Sequence, residues 1–307
     1  MAKTSITAEE LIELRYLARS LVMRGRTPVK SVIAGAHLSR FRGRGVDYLE
    51  SRNYEIGDDI RNLDWRVTAR TGRPHTKVFQ EERERPVIVL LDLDPPMYFG
   101  TRGRLKAVLA AELAALAGWA TTRRGDRIGG LVFRGAEHLE ARPRGGRRGS
   151  MQFIRTIERA FHAEPPAFDA PEPPGVTGAL ERLRRVSRPG SLVLLISDFI
   201  GLEDDADRHL ALLRQHTDLI AFQVRDGIER EIPPAGVYPI SDGTNRGILD
   251  LSARDAREAY YHRVVRAGDA GAARLARFGV PVIQCATTDE PVGILSQLFG
   301  SKRRRAA

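Results

Sequence analysis

Residues 87–97 read V-I-V-L-L-D-L-D-P-P-M, an apolar β-type run that ends in two carboxylates and two prolines. A strand with five consecutive apolar positions is apolar on both faces, the condition of a central strand in a parallel sheet covered by helices. In open sheets of this kind ligands bind just beyond the carboxyl ends of the strands, so Asp92 and Asp94 face a crevice rather than the core. This one feature points to an α/β fold with a doubly wound, mostly parallel sheet of Rossmann type, and it names the first candidate site.

The chain beyond residue 84 alternates in the same sense. Strand-like runs at 87–91, 127–133, 192–196, 218–224 and 280–285 are separated by helix-like runs at 105–122, 150–161, 177–186 and 253–278, with a last helix at 290–299. That order is what right-handed crossovers in a parallel sheet require. Gly268 and Gly271 are candidate breaks in the longest helix, and a proline-rich loop spans 164–174. Earlier in the chain, residues 8–23 carry the helical stripe Leu11, Leu14, Leu17/Ala18 and Leu21, opened by Thr7 as N-cap with Glu10 three residues on. Residues 24–83 hold many glycines, arginines and acids, read as irregular structure with short strands, and are too poor in apolar residues for a core of their own. The chain thus divides into an N-terminal helical and irregular α+β extension at 1–83, an α/β domain at 84–300 and a basic tail at 301–307.

The formal charge of +10 lies wholly in the first half: residues 1–150 hold 28 Lys+Arg against 18 Asp+Glu, and residues 151–307 hold 21 of each. Only five of the 49 basic residues are lysine, a bias toward arginine across the whole chain. No nucleic-acid recognition motif and no basic run interleaved with aromatics accompanies the charge, so nucleic-acid binding is not the expected function. No apolar run approaches the ~20 residues of a membrane span and the first residues lack the apolar centre of a signal peptide, so a soluble cytoplasmic protein is expected. The lone Cys285 reads as a small buried hydrophobe. The seven histidines show no metal-ligand spacing beyond the loose pair His209 and His216, which reads as helix surface. No phosphate-binding loop G-x-x-x-x-G-K-[ST] is present.

A second feature is the segment Tyr54-Glu55-Ile56-Gly57-Asp58-Asp59-Ile60-Arg61-Asn62-Leu63-Asp64-Trp65, followed by Ala69-Arg70-Thr71-Gly72. It resembles the signature of the bacterial domain of unknown function 58 family. The likeness continues through 81–84, Asp92, Lys106, G-D-R-I-G at 125–129, L-I-S-D-F at 195–199, 226–233 and the turn at 242–247. The resemblance implies a von Willebrand factor A-like domain and an association with MoxR-type AAA+ ATPases. It also implies a metal-ion-dependent adhesion site, built in the family from Asp-x-Ser-x-Ser, a threonine and a later Asp. Asp92 matches the first acid, Asp94 and Pro96 replace the serines, Thr177 is the candidate threonine and Asp198 the last acid.

Chemically, Asp92, Asp94, Thr177 and Asp198 offer the oxygen ligands that Mg²⁺ takes, and three converging carboxylates repel one another without a cation or a proton. The competing reading is that Asp94 turns away, the prolines stiffen the loop, and Asp92 and Asp198 cap nearby helix N-termini. The acids Asp58, Asp59 and Asp64 of the signature are expected to satisfy backbone N–H groups in turns, with Arg61 pairing to one of them and the Trp65 ring buried as an anchor. The function these observations favour is a non-enzymatic adaptor that works with a MoxR-type ATPase and docks through the sheet edge carrying Asp92, Asp94 and Asp198. One alternative is a basic nucleic-acid-binding protein; the other is a Mg²⁺-dependent phosphatase or phosphotransferase using Asp92 as nucleophile and Asp94 as general acid. That alternative wants a lysine near the acids, and the only one between Asp94 and Asp198, Lys106, lies some way into the first helical region.

Overall fold

The computed structural model describes residues 3–21, 47–55, 58–80, 85–135, 137–162, 175–241 and 246–299. Gly57, the loop at 164–174, most of the turn at 242–247, residues 81–84 and the tail at 301–307, all singled out above, lie outside them. The chain forms two compact units, residues 37–84 and the remainder.

Helix α1 (Ala8–Leu17) begins the larger unit. Its capping box is complete, Thr7 Oγ1 accepting the Glu10 N–H at 3.3 Å and the Glu10 carboxylate accepting the Thr7 N–H at 2.9 Å. The helix stops earlier than its apolar stripe, where Ser20 Oγ donates to the Leu17 carbonyl at 2.7 Å and competes with the backbone ladder. Leu11 is fully buried and its carbonyl accepts the Trp119 indole N–H at 3.0 Å. The division drawn at 83/84 from sequence is therefore corrected: α1 is part of the α/β body, where Leu11, Ala18 and Leu21 of its stripe are buried while Leu17 is exposed.

The smaller unit holds an antiparallel pair, β1 (Asp47–Asn53) with β2 (His75–Gln80), joined through helix α2 (Trp65–Thr71).

The larger unit continues as β3 (Pro86–Asp92), α3 (Lys106–Arg123), β4 (Arg127–Arg134), β5 (Glu137–Gly145), α4 (Gly146–Phe161), α5 (Gly175–Val186), β6 (Leu192–Ser197), α6 (Ala206–His216) and β7 (Asp218–Arg225). Then follow α7 (Gly227–Arg230), a two-stranded ribbon of β8 (Val237–Ser241) and β9 (Arg246–Asp250), α8 (Arg254–Tyr260), a π turn at Tyr261–Val265, α9 (Arg266–Arg277), β10 (Val282–Ala286) and α10 (Pro291–Phe299). The central sheet has the order β10-β7-β6-β3-β4-β5, parallel throughout except for β5, which runs antiparallel to β4 at the edge.

Strand alternation distributes β3 between two cores. Val87, Val89 and Leu91 join the cluster formed with α1, α3, α4 and α10, while Ile88 and Leu90 join the one formed with α5, α6 and α9. Helices on both faces explain why β3 reads as a continuous apolar run. Helix α3 is buried along Lys106 to Thr121, as its alanine and leucine content demands. Gly130 of β4 lets α4 approach, since a Cβ there would stand 2.2 Å from the Phe153 ring.

The sequence reading misses β5 and the β8–β9 ribbon, and meets α6 only through His209 and His216, expected on a helix surface and found within it. β5 (E-H-L-E-A-R-P-R-G) has only two core-type side chains and tolerates Pro143 because an edge strand has no second neighbour to satisfy.

Candidate functional site

The chain runs from β3 outward to β4 and β5, then returns to the other side of β3 for β6, β7 and β10. The strand order therefore reverses between β3 and β6, and the crevice beyond their carboxyl ends is the switch point where open α/β sheets bind ligands. Leu91 pairs with Ile196 in parallel register, which sets Asp92 beside Ser197 and leaves Asp198 one residue past the sheet. The expected grouping of Asp92 and Asp198 at one edge is thus present. Helix α5 leads back into the start of β6, so Thr177 in its first turn is on this side too; its hydroxyl is buried and has no hydrogen-bond partner among the described residues.

Each acid is occupied by groups of the protein itself. Asp92 Oδ1 accepts the Asp94 N–H at 2.8 Å and its Oδ2 accepts the Ser197 hydroxyl at 2.6 Å. Asp198 Oδ1 accepts the Ile200 N–H at 2.9 Å, and its Oδ2 accepts the Lys106 ammonium at 2.8 Å. Asp94 Oδ1 accepts the Gly135 N–H. Lys106 Nζ, 0 % exposed, also binds Glu229 Oε1 at 2.7 Å. The other Glu229 oxygen accepts the Asp226 N–H at 2.8 Å, closing a capping box on α7. Asp226 in turn holds the Thr101 hydroxyl at 2.6 Å and the Thr287 hydroxyl at 2.8 Å. From Asp198 the network thus passes through Lys106 and Glu229 to the ends of β7 and β10.

The electrostatics follow from burial. Burial pushes the Asp92 carboxyl well above the usual carboxylate range, and the charges of Asp198 and Asp94 push the same way against the two donated hydrogen bonds. Asp94 is raised as well, by burial first, with the Gly135 N–H opposing. Burial disfavours the Lys106 ammonium, yet Asp198 and Glu229 together outweigh it and hold its pKa above the ordinary value. Glu229 is raised because burial exceeds its share of the lysine. The asymmetry is physical: Lys106 is favoured by two acids, whereas Glu229 is favoured by one cation and opposed by the nearby charge of Asp198.

These contacts bear on the expected ligand set. The oxygens of Asp92 and Asp198 all accept protein hydrogen bonds, and the ammonium of Lys106 supplies positive charge beside Asp198. Among the described residues no group of three or more His, Cys, Asp or Glu side chains is set to hold a metal ion. The four residues Asp92, Asp94, Thr177 and Asp198 share an edge but do not make a donor set that fits Mg²⁺. Nor do the acids rim an open face: Asp92, Asp94 and Asp198 are at most 9 % exposed, and the accessible residues beside them include Pro95, Pro96, Gly201, Glu203, Asp204 and Asp205. The expectation that a partner docks on the acids themselves is corrected accordingly.

The loop after β6 is strained. Phe199 has φ of +57°, the only positive φ outside glycine among the described residues. Helix α9 packs on it through Gly271, where a Cβ would stand 2.3 Å from the Phe199 carbonyl oxygen.

The family model described as "Protein of unknown function DUF58" matches residues 50–270, a span that includes the signature, both switch-point strands and Lys106, Asp198 and Glu229. The chain belongs to the DUF58 family. Uncharacterized proteins of Mycobacterium tuberculosis and Mycobacterium bovis are each 30 % identical to it over 299 residues, covering 96 % of this chain and 91 % of theirs. An uncharacterized Mycobacterium avium protein is 28 % identical over 53 % of this chain and 94 % of its own length. Among solved structures, BatB from Bacteroides thetaiotaomicron superposes with a TM-score of 0.39 at 12 % identity over 69 % of this chain and 94 % of that one.

In the smaller unit of this DUF58 protein the signature acids do turn and cap work. Asp59 accepts the Arg61 N–H at 3.0 Å, and Asp58 accepts the Glu55 N–H at 3.0 Å while pairing with Arg52 at 2.7 Å. Asp64 is the N-cap of α2, accepting the Val67 N–H at 3.2 Å and the Ser51 hydroxyl at 2.6 Å, and those donors hold its pKa below the ordinary value. Tyr54 donates its hydroxyl to the Asp58 carbonyl at 3.4 Å. Arg61 meets Asp59 only at 3.8 Å, both exposed. The expected anchor is corrected: Trp65 is 69 % exposed, because it begins a helix of seven residues that buries none of them and is tied down by Asp64 instead.

The sequence reading does not assign Glu229 and Asp226 to the site and sets Lys106 aside as too far into its helix. Lys106 is in fact the first residue of α3. A lysine at the positive end of a helix is unfavourable by itself, and this one precedes a run of buried alanines and leucines, so a buried acid partner is implied by the sequence alone. D-G-I-E at 226–229 likewise carries a legible capping box. Cys285 is 2 % exposed, as expected of a small hydrophobe, and burial pushes its thiol up to about 12.

Proposed function

We propose that this DUF58 protein is a non-enzymatic interaction module, a von Willebrand A-like platform that acts with a MoxR-type AAA+ ATPase. The observation that supports the reading is the self-satisfied switch point. Acid–base or nucleophilic chemistry needs a group free to exchange a proton or attack, within reach of a substrate. Here the carboxylates are buried and bonded to Ser197, Lys106 and backbone N–H groups. Lys106 does reach the acids, but it is committed to Asp198 and Glu229 and is not free to steady a phosphoryl group. Docking then falls to the loops around the crevice, at Pro95 and Pro96 after β3 and at 201–205 after β6, which the Lys106 network holds in place. The energy source is the partner, since this sequence has no phosphate loop.

The test is calorimetry and pull-down of the MoxR-type ATPase of the same organism with the tagged full chain, with and without ATP. A complex that survives Lys106-preserving substitutions elsewhere but weakens with Pro95→Asp or Gly201→Arg is expected. Absence of a complex in both nucleotide states would sink the adaptor reading. Hydrolysis of p-nitrophenyl phosphate that disappears in Asp92→Asn would replace it with the enzyme reading.

A further inference from the structure

At the opposite side of the sheet from β7 and β10, between edge strand β5 and helix α4, lies an open groove of about 800 Å³. Five arginines line it, Arg144 from β5 and Arg147, Arg148, Arg155 and Arg159 from α4, against a single acid, Glu140. All five are exposed, and none of their guanidinium groups has a hydrogen bond or ion pair among the described residues. The acid of α4, Glu158, does not serve them, since its carboxylate accepts the Ala8 N–H at 3.3 Å.

Two features show that this is more than a solvated basic face. Like charges four residues apart on one helix repel, and Arg155 and Arg159 are so placed. Arg147 and Arg148 also stand in the first turn of α4, at the positive end of its dipole, where no acidic residue and no side-chain cap is present. A helix start without a side-chain cap and the guanidinium groups of Arg144, Arg147 and Arg148 therefore lie at one end of the groove, an arrangement stabilised by an anion. Its lining is not wholly polar, for half-buried Leu139 and Met151 face the same space.

We infer that this groove binds an acidic peptide segment of a partner protein, carboxylates on the arginines and an apolar side chain on Leu139 and Met151. Charge complementarity selects an anion, and the apolar residues select a peptide over a nucleic-acid backbone or a headgroup layer, which offers a row of phosphates and nothing to cover them. The span suits a short segment: from Arg147 to Arg159 the helix rises ~18 Å at ~1.5 Å per residue, the reach of five or six extended residues at ~3.3 Å each. The inference does not depend on the ATPase being the partner.

The experiment is fluorescence anisotropy on the full chain with a labelled peptide of sequence D-E-L-D-E-L-D-E-L-D-E-L. Comparison probes are the same peptide with lysine at every acidic position, a single-stranded DNA of equal length, and vesicles of phosphatidylglycerol. Salt-sensitive micromolar binding of the acidic peptide alone is expected. It should weaken about tenfold or more in Arg155→Glu/Arg159→Glu and in Arg144→Glu/Arg148→Glu, with unchanged circular dichroism, and remain intact in Arg263→Glu. No binding of the acidic peptide, or binding indifferent to both groove variants, overturns the inference. Tighter, groove-dependent binding of the DNA or the vesicles overturns it in favour of that anion. Loss of the ATPase complex with peptide binding intact would refute the adaptor reading and leave this one standing.

Discussion

Replacing Lys106 with methionine is the most direct probe of the switch point, because it keeps the stem of the side chain and removes only the ammonium. In the wild type that ammonium lies 2.8 Å from Asp198 and 2.7 Å from Glu229, with no solvent exposure to share the charge. Taking one partner from a buried ion pair costs ~3–5 kcal/mol, chiefly because the remaining charge is left uncompensated. Here two carboxylates are stranded, each keeping a backbone N–H, so the upper part of that range is expected at neutral pH. In a domain of this size the loss lowers the melting temperature by ~2–4 °C per kcal/mol, or ~6–20 °C in all. The stranded Glu229 escapes by taking up a proton, which gives the effect a pH signature. Burial already raises its folded-state pKa, and losing the ammonium raises it further, so stability falls as pH rises from the ordinary carboxylate value through the raised one. The deficit against wild type should therefore shrink on acidification from neutral pH, measured by urea denaturation with matched slopes. In the wild type the raised Lys106 pKa implies a contribution fully present below the ordinary value of 10.5 and lost as pH climbs through the folded value. A loss under ~1 kcal/mol in Lys106→Met, with a flat pH profile, would refute the assignment of Lys106 as the counter-charge of the site.

Asp92→Asn should match or exceed wild-type stability at neutral pH, since burial already favours the neutral acid. Its advantage should grow as pH rises from 3.8 toward the raised folded value, read from melting temperatures across that window, and a disadvantage growing with pH would reverse the argument. Gly271→Ala puts a methyl 2.3 Å from a backbone oxygen and should cost ~1–3 kcal/mol by denaturation; a neutral outcome would mean α9 does not seat on Phe199 as described. Trp65→Ala should change stability by no more than ~0.5 kcal/mol, as for other exposed side chains, and a drop of several times that size would place the ring in a core. Millimolar Mg²⁺ or EDTA should leave the wild-type melting temperature unchanged, and a clear upward shift with Mg²⁺ would show that the acids do bind it.

The parts of this fold that were legible are those whose burial is two-sided. β3, β4, β6 and β7 are apolar over most of their length because helices cover both faces, and α3 is apolar on every side because it lies between the sheet and α1. Those same runs locate Asp92 and Asp198. β5 was not legible, since an edge strand with one core-facing residue per turn of the pleat, plus Pro143, looks like a loop. The site was half legible. Acids at strand ends announce themselves, whereas Lys106 meets Asp198 and Glu229 from 92 and 123 residues away, and no local pattern encodes which acids it will find. Trp65 failed for a related reason: a tryptophan in a sequence signature suggests burial by its size alone, and here, among the described residues of the signature, the buried one is its neighbour Asp64.

The distance in sequence between Lys106 and its acids sets an order of events during synthesis. Asp198 follows Lys106 by 92 residues and Glu229 by 123, so at ~5–20 residues per second the ammonium waits ~5–18 s for its first counter-charge and ~6–25 s for its second. Until then α3 cannot bury its first turn without stranding a cation, although Ala107 to Thr121 behind it have nothing to wait for. The nascent body should accordingly gather β3, α3 and β4 with the amino end of α3 still hydrated, and seal that end only when β7 and α7 arrive. Stalled chains ending between residues 198 and 229 would display this as protease sensitivity confined to residues 93–106, vanishing once Glu229 has emerged.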